Sequence, residues 1–223
     1  PGNPPITSPL GLAEIRLKPG AFPRKQRPFS VIGERREAMM KIVGKLIEQG
    51  KLEPAVSEWS SPAFPVPKPV PHEYRLVCDY RYLNSVTLSD TYPLPRIEEI
   101  LLRQGKFSMW SVLDMKDGYH QVPLNVEHRP YTCMSTPQGS MQWTVLVMGL
   151  KNGNAIFQRM MAWVFRGHQN IDPYIDDVAV GTSASSLEEL VRKPEMDFWQ
   201  TLEVLKRNNL FVNHRKAQIF VQE

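Results

Sequence analysis

Apolar residues in this chain recur at two different spacings, and the spacing marks each element. Met39, Ile42, Val43, Leu46 and Ile47 fall three and four residues apart in GERREAMMKIVGKLIEQGKL, which predicts an amphipathic helix stopped near Gly50. Ile97, Ile100 and Leu101 share one face of a shorter helix over PRIEEILLRQG, ended by Gly105. Ile156, Phe157, Met160, Met161 and Val164 predict a third in NAIFQRMMAWVFRG. SLEELVRKPEMDFWQTLEVLKRNNL has a helical pattern on both sides of Pro194, where the missing N–H and the ring are expected to start or kink a segment.

The other spacing is that of strands. EYRLVCDY predicts a strand, and with the short apolar steps of SPAFPVPKPV it makes a candidate hairpin. The prolines of the second segment limit it to an edge strand at best. KFSMWSVLDMKDGYHQVPL predicts a strand running into a polar turn, and YTCMSTPQGSMQWTVLV two strands around TPQGS. YIDDVAVG is short and strand-like, and LFVNHRKAQIFVQE predicts one or two closing strands. Helices interleaved with hairpins point to an α+β fold on an antiparallel sheet. Residues 1–32 are rich in proline and predict an extended arm.

Composition narrows the classes. The chain has 223 residues, 42% of them hydrophobic and 22% charged, enough for a substantial core. Lys and Arg number 27 against 23 Asp and Glu, a modest excess that permits a polyanionic partner without requiring one. Cys78 and Cys133 are the only cysteines, so a disulfide framework and a CxxC zinc site are excluded and a reducing compartment is expected. No apolar run approaches the roughly 18 residues of a membrane span. The first residue is proline, which suggests a piece of a longer polypeptide.

The chemistry collects on carboxylates. Asp114 and Asp117 follow the apolar run of SVLDMKDGY, and Asp176 and Asp177 sit inside that of PYIDDVAV. Adjacent strand residues point to opposite faces, so Asp176 and Asp177 share a site only if the chain turns beside them. A tight hairpin at IDD meets that condition. Carboxylates gathered from two strands repel one another, and divalent cations would offset the repulsion. Mg²⁺ takes oxygen ligands, and two ions about 4 Å apart can clamp the attacking and leaving oxygens of a phosphoryl displacement. The plainer alternative is that Asp114 caps its turn and the pair forms an ordinary hairpin turn.

A series of blocks then appears in a recognisable order. These are LKPGAFPRKQRPFSV, LIEQGKLEPAVSEWSSPAFPVPKP, YRLVCDYRYLNSVTLSDTYPLPRIEEIL, FSMWSVLDMKDGYHQVPL, RPYTCMSTPQGSMQWTV, MGLKNGNAIFQRMM, YIDDVAV and LEVLKRNNLFVNHRKAQIF. Together they resemble the reverse transcriptase domain of long-terminal-repeat retroelements of the Ty3/gypsy kind, from about residue 15 to the end. The resemblance implies a right-hand polymerase: residues 1–32 an arm, 33–107 mainly fingers, and 108–223 mainly palm, with a fingers segment at about 125–150. It implies RNA-directed DNA polymerisation, with Asp114, Asp176 and Asp177 as catalytic residues and ligands of two Mg²⁺, Mn²⁺ being an alternative.

The other roles come from the same resemblance. Lys68 and Arg75 match basic residues that grip the triphosphate, and charge and fork geometry suit that task. Asp117 lines the phosphate pocket. Tyr119 lies under the sugar and would exclude a 2′-hydroxyl. Met148 packs near nucleotide and template, Gln158 faces the template or solvent, and Lys216 could donate a proton to pyrophosphate. The implied partners are a primed RNA or DNA template, dNTPs, and the rest of a Pol polyprotein with thumb, RNase H and integrase, in a cytoplasmic particle or the nucleus and without a membrane. A segment lacking the thumb is expected to hold duplex weakly.

The chain also departs from the family pattern. Val147 and Met148 replace a proline and an aromatic or glutamine. Gly153 and Asn154 replace Ala-Pro, with Asn154 able to serve as a helix cap, and NHRKA replaces the usual Asn-Pro-x-Lys-Cys. Pro173 cannot donate to a ladder, so the first arm of the IDD hairpin is expected to be short or distorted. These departures keep open a decayed or domesticated copy that binds nucleic acid without efficient catalysis. An RNA-directed RNA polymerase is disfavoured by the Tyr-x-Asp-Asp context and by Tyr119.

Overall fold

The computed structural model describes residues 11–221; the first ten residues of the expected arm lie outside that range. Within it the chain forms two compact units. One is made of Leu12–Ser89 and Pro123–Gly153. The other is made of Asp90–Val122 and the chain from Asn154 onward.

The first unit is built on a mixed five-stranded sheet. In chain order it holds α1 (Gly33–Glu48), β1 (Leu52–Pro54), β2 (Ser61–Pro67), β3 (Tyr74–Cys78), α2 (Arg81–Val86), β5 (Met134–Thr136) and β6 (Gly139–Trp143). The sheet order is β1-β6-β5-β2-β3. Helix α1 buries Met39, Val43 and Leu46, the stripe its spacing predicts, and the chain leaves the helix through Gly50 at φ 69°. Strands β5 and β6 close around the expected turn, with Thr136 opposite Gly139.

Strand β2 corrects the expectation of an edge strand. It lies inside the sheet, pairing with β5 in parallel at Ser61 and Pro62, and with β3 antiparallel from Ala63 to Pro67. The strand changes partner midway. Pro65 and Pro67 therefore fall where only one side is paired, and their missing donors cost no ladder bond.

The second unit carries a four-stranded sheet, ordered β7-β8-β4-β9, and every adjacent pair in it is antiparallel. Its elements are α3 (Ile97–Gln104), β4 (Met109–Asp114), α4 (Gly153–Val164, of which Gly153 belongs to the first unit), β7 (Ile171–Tyr174), β8 (Asp177–Thr182), α5 (Leu187–Arg207) and β9 (Gln218–Val221). Leu113, Val178 and Val180 of the sheet are buried, as are Phe157, Met160 and Met161 of α4. Among the described residues no helix is long and apolar enough to cross a membrane.

Two expectations for this unit need correction. No new segment starts at Pro194: it is buried inside the single helix α5. Proline removes one intrahelical bond, but a Ser186 cap accepting from the Glu189 N–H and the burial of Thr201 and Leu205 sustain the helix on either side. In α3 only Ile100 of the predicted face is buried; Ile97 and Leu101 are exposed, and Gln104 takes the second inward position.

Candidate active site

The candidate site lies at one end of the four-stranded sheet, within the second unit. Strand β4 is centred between β8 and β9, and its last residue is Asp114. Its antiparallel register with β8 runs from Met109 opposite Thr182 to Asp114 opposite Asp177. The pairing therefore brings the first aspartate beside the pair, although the two are far apart in sequence. Strands β7 and β8 close with Tyr174 opposite Asp177, leaving Ile175 and Asp176 as a two-residue turn. This is the hairpin that the adjacent carboxylates require.

Strand β7 is short, as expected, but not distorted. Pro173 sits opposite Val178 in an unbroken register. Because β7 is the outer strand, the absent proline N–H breaks no inner ladder. The strain lies one step further on. Ile175 has φ 54° while Asp176 keeps a negative φ, a pattern that two-residue turns normally give to glycine. A β-branched residue there costs on the order of 1–3 kcal/mol and persists only when its surroundings hold it.

After β4 the chain turns through Asp117, at φ 49°, into a 3-10 turn over Gly118–Gln121. Gly118 is closely packed: a Cβ would lie 3.2 Å from the Phe157 ring and 3.3 Å from Asp176 Cβ, so these side chains would have to shift to admit it. The Met115 N–H donates to the Asp176 carbonyl at 2.8 Å, which ties the turn to the hairpin tip. The segment after α5 closes the other side. Lys116 N–H donates to Phe211 O, and Asn213 N–H donates to Asp114 O. Buried Gln121 joins them further, donating to the carbonyls of Lys116 and Phe211 and accepting from the Phe211 N–H.

The electrostatics follow from crowding three carboxylates. Partial burial pushes the Asp177 carboxyl above its ordinary value, and the charges of Asp176 and Asp114 push it further. One cation answers them. Lys216 Nζ donates to Asp114 Oδ2 at 3.1 Å, and that hydrogen bond, with the carboxylate charges, raises the lysine above its usual value. Tyr119 is buried, and burial with the nearby Asp176 charge pushes its phenol up to about 12. Its ring lies against Phe157 with centroids 5.5 Å apart, and its hydroxyl donates to Asn154 Oδ1 at 2.5 Å.

Gln158 departs from expectation. It is not a solvated helix position: it is 3% exposed and bonded to the backbone of the hairpin. A polar residue amid the apolar run of α4 was the available signal, since a buried amide must find partners. Gln121 and Asn154 were likewise not legible as parts of the site, because their partners are distant in sequence. Beside Gln158, Arg159 anchors α4 through both Asp90 oxygens and lies over the Tyr92 ring.

Lys68, Arg75 and Met148 belong to the first unit. Lys68 starts the loop between β2 and β3 and pairs with Glu73 at 3.1 Å. Arg75 is an exposed residue of β3 opposite Val66, and Met148 is exposed beside buried Val147.

The donor set at the sheet end, three carboxylates with oxygen ligands only, has the chemistry that Mg²⁺ takes. Among the described residues no group of three or more His, Cys, Asp or Glu is arranged as a formed metal cage. Lys216 instead supplies the positive charge on Asp114. The residues thus fit hard divalent cations by type and by mutual repulsion, with the lysine as the present counter-charge.

Comparison with known proteins gives this arrangement a lineage. The model of the reverse transcriptase (RNA-dependent DNA polymerase) family matches residues 66–223. The retrovirus-related Pol polyprotein from transposon 412 of Drosophila melanogaster is 41% identical over 148 residues, 62% of this chain and 12% of that protein. The enzymatic polyprotein of cauliflower mosaic virus strain NY8153 is 31% identical over 213 residues, 93% of this chain and 30% of that protein. The chain thus spans less than a third of either polyprotein. The foamy viral protease-reverse transcriptase, solved in complex with double-stranded DNA, has the same fold: TM-score 0.81 at 21% identity, over 100% of this chain and 36% of that one. The chain belongs to the reverse transcriptase family.

Proposed function

We propose that this segment is the catalytic part of an RNA-directed DNA polymerase, joining a primer 3′-hydroxyl to the α-phosphate of an incoming dNTP. The observation that carries the reading is the pairing of Asp114 with Asp177 at a sheet end, beside a two-residue turn that holds Asp176. Asp114, Asp176 and Asp177 would hold two Mg²⁺ ions, or Mn²⁺, which supply charge neutralisation for the phosphates and acidity at the 3′-hydroxyl.

The chain's own groups do the rest. Asp114 and Asp176 offer carboxylate oxygens from a rigid sheet and a pinned turn. Lys216 holds a proton 3.1 Å from Asp114 and is suited to protonate departing pyrophosphate. The Tyr119 ring, fixed by Phe157 and Asn154, is a wall suited to excluding a 2′-hydroxyl. Lys68 and Arg75 offer charge to the triphosphate, Lys68 by exchanging Glu73 for phosphate. Asp117 and the backbone from Lys116 to Tyr119 would line the triphosphate on the carboxylate side, and Met148 would contribute an apolar contact near the base. A primed RNA or DNA template is the proposed macromolecular partner. The foamy viral relative has been solved with an RNA/DNA hybrid.

The test is primer extension on an RNA template with Mg²⁺ and dNTPs, comparing wild type with Asp176→Asn in the longer polypeptide that carries this segment. We expect a loss of roughly 100-fold or more. Equal background extension by both proteins would leave a domain that binds nucleic acid without catalysis. Extension with NTPs as efficient as with dNTPs removes the role given to Tyr119.

A further inference from the structure

The amide of Gln158 straddles the tip of the hairpin. Its Nε2 donates to the Pro173 carbonyl at 2.8 Å, and its Oε1 accepts from the Ile175 N–H at 2.6 Å. The two bonded residues flank Tyr174, the last residue of β7, and Asp176 follows Ile175 directly. One partner is an acceptor and the other a donor, so only one orientation of the amide satisfies both. The side chain is 3% exposed, so water cannot substitute for either bond. Nothing in the covalent chain makes Ile175 adopt φ 54°; a β-branched side chain resists it.

We infer that Gln158 is a positioning residue that holds the strained Ile175 turn, and so aims Asp176 and Asp177 at Asp114. This rests on the reading of those aspartates as cation ligands. The strain makes the tip conditional. Without the amide, Ile175 relaxes toward negative φ and carries Asp176 away from the Met115 N–H that its carbonyl accepts. Helix α4 thus acts on the site through backbone atoms of the hairpin and not through contact with substrate. Neighbouring Phe157 packs on Gly118 and the Tyr119 ring, and Gly118 in turn lies against Asp176.

Three substitutions separate positioning from mere support of the fold. Gln158→Met removes both bonds at similar volume. Gln158→Glu keeps the acceptor for Ile175 and loses the donor to Pro173. Ile175→Gly removes the need for a clamp, because glycine takes positive φ without strain. The first readout is Mn²⁺ binding to the protein alone, followed by water-proton relaxation. The second is the Mg²⁺ concentration for half-maximal primer extension, set against the KM for dNTP. Thermal unfolding identifies the variants that fold.

We expect Gln158→Met to weaken Mn²⁺ binding and raise the Mg²⁺ requirement about tenfold, the size of one or two lost buried hydrogen bonds. The dNTP KM at saturating Mg²⁺ should stay unchanged, Gln158→Glu should fall between, and Ile175→Gly added to Gln158→Met should restore most of the loss. Unchanged Mn²⁺ binding in a folded Gln158→Met protein overturns the inference, as does a loss that Ile175→Gly fails to rescue. The two readings fail separately. If wild type extends no primer, yet Mn²⁺ binding is lost in both Asp176→Asn and Gln158→Met, the polymerase reading falls and the positioning role stands. If wild type extends primer and Gln158→Met matches it at every Mg²⁺ concentration, the positioning role falls alone.

Discussion

Two hairpins of this protein treat charge in opposite ways. The β2–β3 hairpin ends in a six-residue loop, 68–73, whose charges are answered locally. Lys68 pairs with Glu73, and Glu34 accepts from Tyr74 and pairs with His72. The β7–β8 hairpin ends in a two-residue turn and concentrates like charge, Asp176 and Asp177 beside Asp114, with the Lys216 ammonium on Asp114. The first arrangement needs no ligand to be stable. The second carries a standing repulsion, which adds to partial burial in raising the Asp177 carboxyl and which a divalent cation would relieve. Uncompensated charge on a rigid support is a mark of a working site; compensated charge on a loop is a mark of the surface.

The contrast can be broken at the anchor of the acidic hairpin. Asp172 of β7 is buried, accepts two bonds from Arg103, at 2.7 and 3.0 Å, and one from Gln104 at 2.8 Å. Arg103→Ala leaves that carboxylate with one amide. Because the guanidinium is 46% exposed, the expected cost is limited to about 1–2 kcal/mol in urea unfolding. An unchanged midpoint would mean that the hairpin does not depend on its anchor.

A smaller effect, of opposite sign, sharpens the contrast at the tip. Asp177→Asn removes a charge that its neighbours oppose, so the unfolding temperature should rise while Mn²⁺ binding falls. A lower unfolding temperature would show that the three carboxylates do not repel one another. The compensated β2–β3 hairpin supplies the mildest test. Hydrogen bonds from His72 and then Tyr74 hold the Glu34 carboxyl below its ordinary value. Its contribution is therefore present above that ordinary value and is lost as pH falls through the depressed one. Protection of the 68–73 amides, measured relative to the intrinsic exchange rate at each pH, should fall at acid pH in wild type, and Glu34→Gln should show the lower protection already at neutral pH.

Much of this was legible one segment at a time. Met39, Val43 and Leu46 on α1 and the turn at Thr136–Gly139 were read from spacing, because each depends on neighbours within a few residues. The tight turn at Ile175–Asp176 followed from side-chain alternation and the chemistry of adjacent carboxylates. What failed involved partners distant in the chain. The prolines of β2 argued for an edge, yet the strand changes partner and sits inside the sheet. Pro194 argued for a start or a kink, and the start fails because packing carries α5 through it. Gln158 was read as facing the template or solvent, and the solvated alternative fails because the amide turns inward onto the hairpin; a helix pattern fixes a face without saying which backbone atoms lie opposite.

The sequence by itself determined the element types, the α+β class and the family, because propensity, spacing and ordered motifs are properties of the chain. It also determined which three carboxylates to watch. The tertiary structure decided their arrangement: the register that sets Asp114 against Asp177, the ammonium of Lys216 on Asp114, and the amide that holds Ile175 at positive φ. Register, ion pairing and strain depend on what lies across space, and the pairing of strands whose partners lie 63 to 73 positions apart is settled only when the whole unit packs.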